Sequence, residues 1–183
     1  KSVQLLNSGI AHSPSLKDVE KCDAIFILGE DVTNTAPMLA LALRQATRNK
    51  SIGLAAKIGI PKWNDAAVRE MDQNVKSPLF IASSFSTKLD ELAEKIYHSA
   101  PEDIARLGYM VASFINSSAP TVSDADASLT DLAKRIADVL STAENPLIVT
   151  GVNIGSDDIL NASANIAKAL TQNGKKPSLS ISF

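Results

Sequence analysis

The chain has 183 residues, enough for one large domain or two small ones, with 45% hydrophobic, 21% charged and only 4% aromatic residues. Aromatics this scarce leave the core to Ala, Leu, Ile and Val. A net charge of −2, with basic residues never running beyond a pair, gives no basis for a nucleic-acid partner or an anionic membrane surface.

Ser15-Leu16-Lys17-Asp18 predicts a capped short helix through about Lys21. Cys22, the single cysteine, precedes an apolar run and reads as a buried, inert thiol; alone it can neither staple the fold nor supply the thiolates of an iron–sulfur cluster. Ala24 to Leu28 is apolar throughout at strand length, the pattern of a strand buried on both faces. Gly29 and a polar loop follow. Pro37 then opens a helix in which Leu39, Leu41, Leu43 and the alanines are apolar nearly all round, running into the basic stretch Arg44 to Lys50. From Ser51 to Asn74 the pattern is weak. Ile52, Leu54, Ile58 and Ile60 alternate as a strand would, and Asn64 to Met71 reads as helix.

Pro78 precedes a second buried strand, Leu79 to Ala82. Thr87 with Asp90 predicts a capped helix carrying Leu89, Leu92, Ala93 and Ile96, with His98 at its end. Pro101 opens another, with the stripe Ile104, Leu107, Val111 and Phe114. Asn116 to Asp124 is the best linker candidate, dividing the chain into a first α/β part (1–118) and a second βα part (119–183), parts that a single compact domain can also contain. Leu129, Leu132, Ala133, Ile136, Val139 and Leu140 fall at helical spacing. Pro146 starts a strand, Leu147 to Thr150, closed by Gly151; Asn173-Gly174 stops the helix after it, and Leu179 to Phe183 is a last strand. Helices alternating with short buried strands call for an α/β fold, doubly wound and Rossmann-like, with a parallel sheet and helices on both faces. No segment approaches the roughly 18 apolar residues of a membrane span. The start at Lys1 and the end within a strand pattern suggest a piece of a longer chain.

FILGEDVTNTAPMLALALRQA and IVTGVNIGSDDILNASANIAKAL superpose with Gly29 on Gly151. Each is a strand ending in glycine, a polar loop and a helix of small residues, which is where α/β proteins bind phosphates or cofactors. The candidate binding residues are Gly29, Glu30, Asp31 and Asn34 in the first loop, with Gly151 and Asn153 in the second. A bare turn explains them better: Asp31, Thr33, Asn34, Thr35, Ser156 and Asp157 are helix-capping types, and Asp31 and Asp157 would repel a phosphate. Neither loop has GxGxxG or GxxxxGK[ST] spacing, and no GxSxG elbow, HExxH or nucleophile–base pairing is apparent. His12 and His98 stand in no metal-ligand spacing, and Glu30-Asp31 has no third ligand near it in sequence.

Ala24 to Asp31, with Asn34 and Pro37, resembles a segment of the molybdopterin oxidoreductases. Within that family LGEDVTNTAP is similar to the G subunits of bacterial NADH-quinone oxidoreductase, respiratory complex I. So are SPLFIASSFSTKLDELA, APEDIARLGYMVASFINSSAP and NPLIVTGVNIGSDDILNASANIAKAL, which together cover most of Ala24 to Leu170. The resemblance implies an interior piece of the molybdopterin-oxidoreductase-like module that follows the iron–sulfur domains of that subunit. It implies a scaffold without a catalytic residue, metal or redox centre of its own, cytoplasmic and held at the inner membrane through the complex. Its partners would be the rest of the same subunit and other complex I subunits, with no nucleic acid and no direct membrane insertion. Catalytic members carry Asp-Pro-Arg after the next strand; Asn49 to Asp65 (NKSIGLAAKIGIPKWND) does not, so the molybdopterin site is expected to be degenerate and the two loops empty. PLIVTGVNIGSDDILNASANIAKAL also resembles the central domain of thiamine-diphosphate enzymes, which leaves a nucleotide- or cofactor-binding domain as the alternative.

Overall fold

The computed structural model describes residues 4, 9–71, 75–120 and 126–183. Its centre is β1, Ala24–Leu28, which the sequence makes apolar at every position because it is flanked on both edges and covered on both faces. On one edge β1 pairs parallel with β2 (Leu79–Ser83), Ile25 facing Leu79; on the other it pairs parallel with β4 (Pro146–Gly151), Ala24 facing Pro146. β3 (Lys95–His98) extends the sheet beyond β2, and β5 (Ser178–Ser182) beyond β4. The strand order 3-2-1-4-5, all parallel, is the expected doubly wound arrangement. Three strands come from 1–118 and two from 119–183.

Strand side chains alternate between two cores. Phe26, Leu28, Phe80 and Ile148 pack with three helices, α6 (Pro101–Ile115), α7 (Ala127–Thr142) and α8 (Asp157–Gln172). Ile25, Ile27, Ile81 and Val149 pack on the other face with Val19, Val32, Leu39 and Leu43. These four come from α1 (Leu16–Val19), α2 (Val32–Thr35) and α3 (Pro37–Ala46). Ser15 and Asp18 close the expected capping box on α1. β5 reads Ser-Leu-Ser-Ile-Ser because only its Leu179 and Ile181 side meets a helix layer.

Four sequence expectations are corrected. The alternation Ile52, Leu54, Ile58, Ile60 is not a strand: Asn49–Lys57 forms helix α4, which buries Ser51 and Ala55 and leaves Leu54 and Ile58 exposed. α5 (Asp65–Met71) follows as expected. Thr87 and Asp90 make their capping bonds, but the helix is a single 3-10 turn, Asp90–Leu92, and the chain then enters the sheet as β3. His98 therefore ends a strand, not a helix. The helix from Pro37 is apolar nearly all round, yet Met38 and Leu41 face solvent. In α6 the buried stripe continues from Ile104, Leu107 and Val111 to Ile115, while Phe114 is exposed with the Lys134 ammonium 5.7 Å from its ring centre. The expected linker Asn116 to Asp124 lies partly outside the described residues.

Candidate functional site

The chain leaving β1 turns to the face of α2 and α3, and the chain leaving β4 turns to the face of α8. Their loops diverge at the carboxyl edge of the sheet, where doubly wound folds open a ligand crevice. Gly29 begins the first loop. Its N–H donates to the Ala82 carbonyl at 2.7 Å, and its φ of 70° is in the left-handed region. A Cβ there would stand 2.8 Å from Cδ1 and Cγ2 of Ile159, so glycine also admits α8 to the loop.

Glu30 is 3% exposed and crosses the crevice from β1 to β4. Its Oε1 accepts from the Asp31 N–H and Asn153 Nδ2, both at 3.0 Å, and from Thr35 Oγ1 at 3.1 Å. Ser182 Oγ, at the end of β5, donates to Thr35 Oγ1 at 2.9 Å and extends the network to the last strand. Oε2 is buried and, among the described residues, has no hydrogen-bond partner; neither has Thr150 Oγ1. The carboxylate lies where a Cβ of Gly151 would be. This corrects the parallel drawn between the two glycines: Gly151 has no positive φ and is needed for close approach, while the left-handed residue of the second loop is Gly155, at 70°.

Asp31 caps α2, accepting the Thr33 N–H at 3.0 Å, and holds the exposed Asn34 through Nδ2 at 2.6 Å. Ser156 caps α8, accepting the Ile159 N–H at 3.4 Å. The structure thus brings all six candidate residues, Gly29, Glu30, Asp31, Asn34, Gly151 and Asn153, to one edge. Beside them is a cleft of about 530 Å³, walled by Ser84 and Phe85 on one side and by Asn153 and Ile154 on the other, with no lysine, arginine or histidine in its lining.

Sequence reasoning missed Ser182 and Phe85, took Thr35 only as a helix-capping type at the end of the first loop, and found no nucleophile–base pairing. The fold makes one beside the cleft: His98 Nδ1 is 3.2 Å from Ser83 Oγ, and His98 Nε2 is 3.2 Å from Asp90 Oδ2. Its serine is no nucleophile, because Ser83 is 1% exposed and its hydroxyl donates to the Phe85 carbonyl at 2.7 Å. The three residues instead fasten the Ser84–Phe85 wall. Burial would raise the Asp90 carboxyl, but hydrogen bonds from Thr87 and Ser86, with His98 beside it, hold it below the ordinary carboxylate range. Among the described residues no group of three or more His, Cys, Asp or Glu is placed to hold a metal ion.

No family profile matches the chain. It is 46% identical over 180 residues to the G subunit of NADH-quinone oxidoreductase from Pseudomonas putida, and 45% identical over 179 residues to that of Pseudomonas fluorescens. Each match takes in 98% of this chain and 20% of the relative. The corresponding protein of Salmonella typhimurium is 38% identical over 94% of this chain and 19% of its own length. Along nearly its whole length the chain is therefore homologous to a part of the G subunit of NADH-quinone oxidoreductase, and it spans about a fifth of these relatives. A chain of the formyltransferase/hydrolase complex from Methylorubrum extorquens superposes with a TM-score of 0.49 and 17% identity over 98% of this chain and 41% of its own, a likeness too slight to carry an inference.

Proposed function

We propose that this chain, a homologue of part of the G subunit of NADH-quinone oxidoreductase, is a scaffold module of such a subunit. The parent assembly would pass electrons from NADH to quinone, coupled to proton translocation, with its iron–sulfur clusters elsewhere in the subunit. Residues 1–118 and 119–183 would act together, since β1 of the first part and β4 of the second are neighbours. The module would hold no redox centre and would reach the inner membrane from the cytoplasmic side only through the complex. Among the described residues no helix is long and apolar enough to cross a membrane.

The observation that carries this reading is the Glu30 carboxylate in the switch-point crevice. A pterin dinucleotide is anionic and needs free N–H donors and a positive anchor. Here the crevice holds a buried carboxylate beside Asp31, the nearby donors are consumed by Glu30, Asp31 and Ser156, and the cleft lining has no cation. Asn49 to Asp65, which has no Asp-Pro-Arg, forms α4 and the turn after it; the strand that follows β1 is β2, which runs into Ser84-Phe85 beside the crevice, also without Asp-Pro-Arg. The residues do not fit that cofactor. Metal analysis of the purified chain tests this: iron and molybdenum should stay near background. Stoichiometric molybdenum, with pterin fluorescence after acid oxidation, would overturn it.

A further inference from the structure

Helix α4 is firmly seated yet turns Leu54 to solvent. Asn49 Nδ2 donates to the Glu20 carbonyl at 2.7 Å, and Ser51 Oγ to the Val75 carbonyl at 2.6 Å. Lys50 and Leu54 stand at i and i+4 on the helix, with Lys57 beside Leu54, and Ile58 follows as the C-cap residue. Leu54 is 43% and Ile58 58% exposed, and Trp63, the only tryptophan, is 82% exposed with Lys62 next to it. The turn between them is fixed: Ile60 N–H donates to the Ala55 carbonyl at 3.0 Å and Gly59 N–H to the Ala56 carbonyl at 3.1 Å, with Gly59 at φ 81°.

The segment around α4 is net positive in sequence. Residues 44–76 contain seven basic and three acidic residues, a local +4 in a chain of total −2. Arg44, Arg48 and Arg69 are ion-paired, whereas Lys50, Lys57 and Lys62 have no ion pair among the described residues. An exposed apolar centre with an unpaired basic rim is complementary to an apolar centre with an acidic rim. We propose that Leu54 on α4 and Ile58 at its end, with the exposed Trp63 in the turn that follows, dock a protein surface of that kind, a proposal that rests on the reading of the chain as part of an assembly.

The test places benzoylphenylalanine at Ile58 of the full-length protein in its native host and maps the photo-crosslinks by mass spectrometry. The crosslinked segment should have apolar residues flanked by Asp and Glu. Leu54→Ser should weaken the association at least about tenfold, as losing one buried aliphatic contact does. Lys57→Glu with Lys62→Glu should weaken it further at low salt than at high salt. Crosslinks to lipid, to a second copy of the chain or to an uncharged or basic segment would overturn the proposal. So would a yield no higher than from the exposed Asp138 position. Native gels separate the two readings: a chain that runs with its assembly but gives no Ile58 crosslink refutes only the face, and a chain that runs alone refutes the assembly.

Discussion

The Glu30 carboxylate occupies the space that a Cβ on Gly151 would need, so the first and fourth strands share one site at their carboxyl ends. Removing either residue should therefore disturb the same bonds. Glu30→Ala strips the acceptor from the Asp31 N–H, the Thr35 hydroxyl and the Asn153 amide, at a cost of about 2–3 kcal/mol. Gly151→Ala should cost a similar amount by expelling the carboxylate. Urea unfolding of the double variant should then fall short of the sum by on the order of 1–2 kcal/mol. Additive losses would show that the two residues do not share a site.

The glycines of the two loops should separate by mechanism. Gly29→Val faces both a left-handed backbone and the Ile159 side chain, so it should cost at least about 1–3 kcal/mol. Gly155→Ala faces the same φ but open space, and about 1 kcal/mol should suffice. Equal shifts of the urea midpoint would mean that α8 does not constrain the first loop.

The parts of the fold that were legible in sequence are those where burial leaves no choice. β1, β2 and β4 are apolar at successive positions because both their faces are covered, and Pro37, Pro101 and Asn173-Gly174 mark helix ends by backbone chemistry alone. β3 was not legible. Lys95–His98 lies at the sheet edge, largely exposed, and it becomes a strand through pairing with β2 rather than through its own side chains. α4 misled because Leu54 and the C-cap residue Ile58 are exposed and Ile52 is only half-buried, while the residues it buries are Ser51 and Ala55. At the crevice the six candidate residues were found from strand–glycine–loop spacing. What spacing could not give was the direction of the Glu30 side chain, which depends on Gly151 lying beside it across a gap of more than a hundred residues in sequence. The Ser83, Asp90 and His98 grouping likewise needs β2 and β3 to be neighbours.

Asp90 should give the acid limb of stability a specific component. Its carboxyl is held below the ordinary 3.8 in the folded chain, so folding favours the charged form. That contribution is fully present above the unfolded value and is lost as pH falls below about 4 through the folded value. Asp90→Asn should lower stability at pH 6 and should converge with the parent chain as the pH drops below about 3.8. Urea midpoints that stay apart by the same amount down to pH 2 would remove the carboxylate as the cause.

Cys22 should be silent towards thiol reagents until the chain unfolds. It is 2% exposed, packed in the core beneath β1 and β2 with its Sγ 3.4 Å from the Asp18 carbonyl. Burial, with the charges of Asp23 and Asp18 adding to it, pushes the thiol up to about 12. At pH 8 the thiolate, the form that reacts, is then only about one part in ten thousand, before access is considered. An aromatic disulfide reagent at pH 8 should label the native chain no faster than it unfolds, and should label it stoichiometrically within seconds in strong urea. Raising the pH to 9 should not restore native labelling, because the barrier is access as well as ionisation. Rapid stoichiometric labelling of the folded chain at pH 8 would show that α1 and the start of β1 open readily, and would mean that Cys22 is not sealed in that core.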